Sequence, residues 1–119
     1  TITARIKTKA GGSLFAKTEA GPRWAPDGKV WFVRGGRLCY DIGWVGAVES
    51  RRRVNNGRWH DVAMTWDHET GMATLFIDGR KDEQSVLHPE QKRDGQVVRL
   101  GMAAPDFPDP TFFDGKIDL

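Results

Sequence analysis

The sequence predicts an all-β domain, and three observations lead to this prediction. Apolar and polar residues alternate with a period of two, no stretch repeats apolar residues at helical spacing, and clusters of Gly, Pro and Asn divide the chain. The 119 residues are enough for one domain whose hydrophobic core needs no cross-links. We therefore expect a single domain over residues 1–119.

Composition limits the possible classes of function. The single cysteine, Cys39, excludes an intrachain disulfide and a zinc site built from several cysteines. The net charge of +2, from 18 basic and 16 acidic residues, does not favour nucleic acid as a partner. No run approaches the roughly 20 apolar residues of a membrane-spanning helix. The chain starts at Thr1 rather than Met, and we expect it to be a piece cut from a longer protein.

The first third of the chain reads as strands separated by glycine and proline. Residues 1–7, TITARIK, alternate apolar and polar side chains as a half-buried strand does, and residues 13–18, SLFAKT, resume the extended pattern after two glycines. Residues 19–28 contain two prolines and two glycines, which is typical of a loop, and this loop carries Trp24.

A tight hairpin follows over residues 29–43. Gly35-Gly36 provides the positive φ angles of a two-residue turn, so that Trp31 lies opposite Tyr40. Next come the basic run Arg51–Arg53, which we expect in a loop, and the turn residues Asn55-Asn56-Gly57. Of the remaining segments, 97–102 and 115–119 are predicted to be strands, and the proline-rich stretch 103–110 is predicted to be irregular.

Residues 58–79, RWHDVAMTWDHETGMATLFIDG, contain enough acids and histidines for a catalytic cluster, but they also fit a β-hairpin. If residues 68–71 form the loop, both faces of the hairpin gain compatible pairs, and a slip by one residue would turn the apolar side chains outward. The hairpin interpretation accounts for nearly every residue. It predicts five facing pairs: Trp66 with Ala73, Met64 with Leu75, Val62 with Ile77, Thr65 with Thr74, and Ala63 with Phe76.

Three motifs carry a family resemblance. The stretches NNGRWHDVAMTWDHETGMATLFIDG (55–79), GGRLCYDIG (35–43) and FFDGKID (112–118) together resemble the laminin-G and pentraxin-like domains of the concanavalin A-like lectin/glucanase superfamily. The resemblance implies an antiparallel two-sheet β-sandwich of the jelly-roll type. It also implies a non-catalytic module that binds glycans or proteins in a secreted or cell-surface protein. Related domains have a longer last strand, so we expect an open sheet edge here.

Catalytic and metal sites are weakly supported. Glycosidases of this fold use paired carboxylates, and Asp61 and Asp78 lie in motif positions that the hairpin already explains. His60 belongs to the same motif and has no nucleophile tied to it, so we expect no enzyme. The resemblance implies calcium as a candidate ligand, with carboxylates of the C-terminal region to bind it, although turn formation explains these carboxylates as well; no other cofactor is expected. These carboxylates are Asp106, Asp109, Asp114 and Asp118.

Rings and arginines are the better candidates for binding. Flat aromatic faces stack on sugar rings, and guanidinium groups pair with sulfate or carboxylate groups. We therefore predict a carbohydrate-binding module that binds a polysaccharide or glycan through stacking and arginine contacts. The alternative is a protein-interaction or structural module that uses a sheet edge to bind a neighbouring domain or a second copy. The predicted carbohydrate-binding residues are Trp24, Trp44, Trp31, Tyr40, Arg51, Arg52 and Arg53.

Overall fold

The computed structural model describes residues 1–89 and 94–118. No helix of membrane-spanning length and apolarity occurs in this part of the chain. Its regular structure is entirely β. The strands are β1 (Ile2–Thr8), β2 (Gly12–Thr18), β3 (Lys29–Arg34), β4 (Arg37–Ile42), β5 (Gly46–Arg53), β6 (Trp59–Trp66), β7 (Met72–Ile77), β8 (Arg80–Val86), β9 (Val97–Leu100) and β10 (Gly115–Asp118).

The strands of the described residues form two five-stranded antiparallel sheets. We call β10-β1-β6-β7-β8 the front sheet and β5-β4-β3-β2-β9 the back sheet. The two sheets pack face to face, and β5 of the back sheet lies against β7 and β8 of the front sheet. The predicted antiparallel β-sandwich is confirmed.

The central hairpin of β6 and β7 has the predicted register. All five facing pairs are present, among them Trp66 with Ala73 and Val62 with Ile77. The loop is organised by Asp67, whose Oδ1 accepts the N–H of Glu69 at 2.8 Å. Asp67, His68, Glu69 and Asp78 therefore lie between strands, whereas His60 and Asp61 belong to β6.

The hairpin of β3 and β4 is confirmed as well. Trp31 lies opposite Tyr40, and the turn residues Gly35 and Gly36 have φ angles of 61° and 82°. A Cβ atom on Gly36 would lie 2.6 Å from Asn55 Oδ1, so the turn also needs glycine for space.

The core lies between the sheets. Alternate residues of both sheets point into it, including the fully buried Ile6, Trp31, Leu75 and Ile77. A second apolar cluster lies on the opposite, outer face of the back sheet, where Phe32 and its neighbours are covered by Trp24 and Phe107 from two loops. The outer face of the front sheet has no such cover among the described residues.

The strands differ from the predicted elements in three places. Arg51–Arg53 belong to strand β5 rather than to a loop. Strand β8 was not predicted, because its residues RKDEQSV are nearly all polar and show no alternation. The predicted strand 97–102 ends at Leu100, and Leu119 of the predicted strand 115–119 lies outside the described residues.

Candidate functional site

Two of the predicted sugar-binding rings lie in the core. Trp31 is fully buried and Tyr40 is 4 % exposed, and both point between the sheets. Burial, with a smaller contribution from the charge of Asp41, raises the pKa of the Tyr40 hydroxyl. Neither ring has a face open to solvent, so the prediction that they stack on sugars is wrong. Their cross-strand pairing serves packing.

Trp24 covers the back sheet. Its ring stacks on Phe107 with centroids 4.7 Å apart, and its backbone N–H donates to Asp106 Oδ1 at 2.7 Å. The backbone of Gly28 passes so close that a Cβ atom there would lie 2.9 Å from the indole ring. Trp24 is half-buried, so most of its ring is engaged in fixing this loop. A role in sugar stacking stays a prediction.

Trp44 is exposed at the turn between β4 and β5. The turn is closed by a hydrogen bond of 2.9 Å from the Val45 N–H to the Ile42 carbonyl, and Trp44 has a φ of 61°. This left-handed conformation favours glycine and costs a larger residue roughly 1 kcal/mol. The side chain is 66 % exposed. Its ring is therefore open to solvent, and its predicted role in sugar stacking stays a prediction.

The arginine run is exposed but paired with acids of β8 and of the turn before it. The Arg51 backbone N–H donates to Asp82 Oδ1 at 2.6 Å, and its guanidinium lies 3.0 Å from Glu83. Arg52 lies 3.7 Å from Asp78. These contacts hold β5 against β8 and satisfy two of the three arginines internally.

The structure does not bring Trp44 and the arginines together. Strand β5 separates them, running from Gly46 to Arg53. At about 3.3 Å per residue, this distance exceeds about 20 Å. One sugar ring cannot contact both, so they do not form the single site that the sequence suggested.

The catalytic candidates are engaged in a hydrogen-bond network. His60 Nδ1 lies 2.8 Å from Asp78 Oδ2, and its Nε2 lies 2.8 Å from Asn56 Oδ1. Partial burial by itself raises the pKa of the Asp78 carboxyl, but hydrogen bonds from His60 and from the Asp61 N–H outweigh it, and the pKa is lowered. Both ring nitrogens of His60 are occupied. The network ties the hairpin to neighbouring turns.

The outer face of the front sheet contains an aromatic that the prediction missed. Trp59 begins β6, points outward in alternation with the buried Val62 and Met64, and is 43 % exposed. The Arg5 guanidinium carbon lies 5.9 Å from the Trp59 ring centroid, and Arg5 Nε lies 3.4 Å from Asp61 Oδ1. An aromatic face, a cation and a carboxylate thus stand side by side on rigid strands.

A depression lies beside this group. Its volume is about 570 Å³, and its lining includes the small side chains of Thr3 and Ala63 together with Phe76 and Asp118. Alternation within WHDVAMTW could have indicated Trp59, because the same register that buries Val62 turns position 59 outward. The family motif obscured this, since the whole run was treated as scaffold.

Metal ligation has no visible basis in the described residues. Across residues 1–89 and 94–118, no three His, Cys, Asp or Glu side chains lie in an arrangement that could hold a metal ion. The carboxylates considered for calcium are therefore not gathered into such a group. Calcium binding stays a prediction.

Comparison with known proteins supports the resemblance. A laminin G model of the concanavalin A-like lectin/glucanases superfamily matches residues 1–119. A pentraxin fusion protein of Xenopus laevis is 26 % identical over 73 residues, which are 60 % of this chain and 17 % of that relative. The chain thus spans about a sixth of the length of this curated relative.

Solved structures of the same fold include animal and bacterial domains. Domains LG4-5 of the mouse laminin alpha1 chain superpose with a TM-score of 0.65 at 14 % identity, covering 97 % of this chain and 32 % of that one. The CBM40 of the Ruminococcus gnavus IT-sialidase superposes with a TM-score of 0.67 at 17 % identity, covering 97 % of this chain and 73 % of that one. The same module bound to alpha2,3 sialyllactose superposes with a TM-score of 0.64 at 18 % identity, covering 97 % of this chain and 70 % of that one. At these identities the likeness establishes the fold.

The motifs, the sandwich and the match over the whole chain agree. This chain belongs to the laminin G-like domains of the concanavalin A-like lectin/glucanases superfamily.

Proposed function

We propose that this domain is a non-catalytic glycan-binding module whose contact surface is the outer face of the front sheet around Trp59. The observation that carries the proposal is the exposed Trp59 ring, held on a strand next to Arg5 and Asp61 and beside a depression of about 570 Å³. Strands hold a ring more rigidly than loops do, so less side-chain entropy is lost on binding.

The chemistry of this surface suits a pyranose. The apolar C–H face of a sugar stacks on the indole ring, and the hydroxyls around its edge exchange hydrogen bonds with a guanidinium and a carboxylate. Arg5 Nε and Asp61 Oδ1 lie 3.4 Å apart, and both side chains are more than half exposed, so their remaining donor and acceptor atoms are open to a ligand. The depression that Arg5 and Asp61 help to line leaves room for a further sugar unit of a longer glycan.

Several considerations favour binding without catalysis. Asp61 forms an ion pair with Arg5, and Asp78 is hydrogen-bonded to His60. Neither Asp61 nor Asp78 is therefore free to act as the acid or the base of a glycosidase pair. The Ruminococcus gnavus CBM40, a carbohydrate-binding module by name, supports the proposal by fold. We expect the module to act outside the cell, as part of a longer protein.

The test is affinity electrophoresis through gels that contain neutral or sulfated polysaccharides, run with calcium and again with a chelator. We expect at least one polysaccharide to retard the protein. Trp59→Ala should then weaken binding about tenfold, equivalent to roughly 1.4 kcal/mol. Trp44→Ala is the matched control, because it removes another exposed indole, one that lies in the turn before β5 rather than on the front sheet.

Near-UV circular dichroism should confirm that both variants are folded. Loss of binding in Trp44→Ala with full binding in Trp59→Ala would move the site to the β4–β5 turn. Retention of binding in both variants would rule out a glycan site built on Trp59 or Trp44, and the absence of retardation by every polysaccharide would overturn the proposed glycan binding.

A protein-interaction module is the second candidate function. Val98 and Leu100 of strand β9, at the edge of the back sheet, are both more than half exposed. An edge strand with apolar side chains is a template for pairing with another strand. Sedimentation that depends on protein concentration, reduced by Val98→Lys, would support this function.

A further inference from the structure

Three lysines lie together at one end of the Trp59 surface. Lys7 of β1 is directly opposite Lys116 of β10 on one side and directly opposite Trp59 of β6 on the other. Residues paired in this way have Cβ atoms about 5 Å apart on the same face of a sheet. Lys9 follows two residues after Lys7, just beyond the end of β1.

These lysines surround a second depression. Its volume is about 380 Å³, and its lining includes all three lysines together with Gly57, Gly115 and Asp114. The stem of Lys9 lies along Gly57, where a Cβ atom would be 3.0 Å from its Cε. A side chain at position 57 would displace this stem, so the glycine helps keep Lys9 beside the depression.

The three ammonium groups lack internal partners. Within the described residues, none of them forms an ion pair or a side-chain hydrogen bond, although Asp114 lies in the same lining. The Lys7–Lys116 pair is also unfavourable in itself, because like charges directly opposite each other destabilise a sheet. A concentration of unpaired positive charge is thus built into the rim of the binding surface.

The arginine run makes a useful contrast. Arg51 and Arg52 contact Glu83 and Asp78 through their side chains, and their backbone N–H groups donate to Asp82. Each lysine also carries one positive charge, but within the described residues no ion pair neutralises it. An anion therefore gains more from the lysine cluster than from the arginine run.

We propose that Lys7, Lys9 and Lys116 form an anion subsite, so that the glycan bound on the Trp59 surface carries a sulfate ester or a carboxylate group. This inference rests on the proposed function, because Trp59 would hold the neutral ring while the lysines hold its charged substituent. Ammonium groups act as mobile point charges, which suits substituents of either geometry. Binding should fall steeply as salt rises, since these groups are exposed.

Dextran, dextran sulfate and carboxymethyl-dextran share one backbone and serve as probes in affinity electrophoresis. We expect retardation by at least one charged dextran and less by dextran itself, and the comparison of the two charged polymers distinguishes sulfate from carboxylate. Lys7→Ala/Lys116→Ala should weaken this binding at least tenfold. Arg51→Ala/Arg52→Ala removes the same charge and should change it less than twofold.

Equal losses in the two double variants would mean that net charge alone is responsible, and this would overturn the subsite. A loss confined to the arginine variant would overturn it too, as would no retardation by either charged dextran. If Trp59→Ala abolishes polysaccharide binding and the lysine variant does not, the glycan-binding function stands and the subsite fails. If only the lysine variant matters, the anion subsite stands and the proposed stacking function fails.

Discussion

The two outer faces of this sandwich differ in what covers them. On the back sheet, Trp24 and Phe107 pack over Phe32, so that aromatic rings complete a second apolar cluster. On the front sheet, Trp59 stands exposed among charged side chains of neighbouring strands. Similar residue types therefore serve stability on one face and are available for binding on the other.

This difference reverses a common expectation about loops and strands. Trp24 lies in a Pro- and Gly-rich loop, yet its ring is held by Phe107 and by the backbone of Gly28. Trp59 lies in a regular strand, yet it faces solvent because its neighbours in the alternation face the core. The neighbouring sheet and loops, rather than the local element, decide which ring can meet a ligand.

Removing the cover of the back sheet should have the largest effect on stability. Phe107→Ala deletes a ring that stacks on Trp24 and meets Phe32 edge-on at 5.8 Å. We expect the free energy of unfolding in urea to fall by about 3 kcal/mol, near the lower end for buried phenylalanines because Phe107 is only half-buried.

Phe112→Ala is the matched control, since this ring belongs to the same proline-rich region but is 67 % exposed. It should change the free energy of unfolding by less than about 0.5 kcal/mol. Similar losses in both variants would show that the stacked rings do not stabilise the back sheet specifically.

A carboxyl on the outer face of the back sheet should make the free energy of unfolding depend on pH. Asp41 lies beside the buried Cys39, and burial raises the pKa of its carboxyl from an ordinary 3.8 to about 6, against an opposing effect of Arg34. Because the folded-state pKa is the higher one, stability falls as pH rises from about 4 to 6 and stays reduced above that. The full shift corresponds to about 3 kcal/mol, and because the carboxyl is partly exposed we expect Asp41→Asn to stabilise the protein by about 2 kcal/mol at pH 8.

The measurement is urea unfolding of wild type and Asp41→Asn between pH 4 and pH 8. The difference between the two proteins should be small at pH 4 and level off above pH 6. Asp109→Asn, on an exposed loop, is the control. A difference that is constant across this range would exclude ionisation of Asp41 as its cause.

The pairing of strands was predictable because one face of each hairpin is apolar. Trp66 opposite Ala73 and Trp31 opposite Tyr40 follow from alternation and turn chemistry alone. Strand β8 was not predictable in this way, since Arg80–Val86 form a sheet edge whose side chains pair with β5 rather than enter the core. Alternation of apolar and polar residues marks a strand only where one face of it is buried, so it does not reveal a polar edge strand.

The candidate site was predictable only in part. Trp44, one of the predicted binding residues, is exposed, but the acids that pair with the arginines lie about 30 residues further along the chain, and only the fold brings them together. The lysine subsite joins both ends of the sequence, because β1 pairs with β10. Contacts at such separations depend on the sheet order, which local patterns do not specify.

The smallest expected effect tests the outer face of the front sheet. There, a substitution that raises the free energy of unfolding should weaken glycan binding. Lys116→Glu places a carboxylate directly opposite Lys7, and replacing a like-charge pair by an opposite-charge pair should raise the free energy of unfolding by about 0.5 kcal/mol. The same change should abolish the lysine-dependent binding of charged dextran. Urea unfolding and affinity electrophoresis measure the two effects.

Salt separates charge from packing in this test. At 1 M NaCl the screening length is about 3 Å, so the stability gain of Lys116→Glu should largely disappear. Lys116→Gln, which removes the repulsion without adding attraction, should give about half the gain in dilute buffer. A gain that persists in high salt would have to come from packing. If instead Lys116→Glu lowers the free energy of unfolding, repulsion between Lys7 and Lys116 does not destabilise this fold. The unfavourable pairing of these lysines would then no longer support an anion subsite.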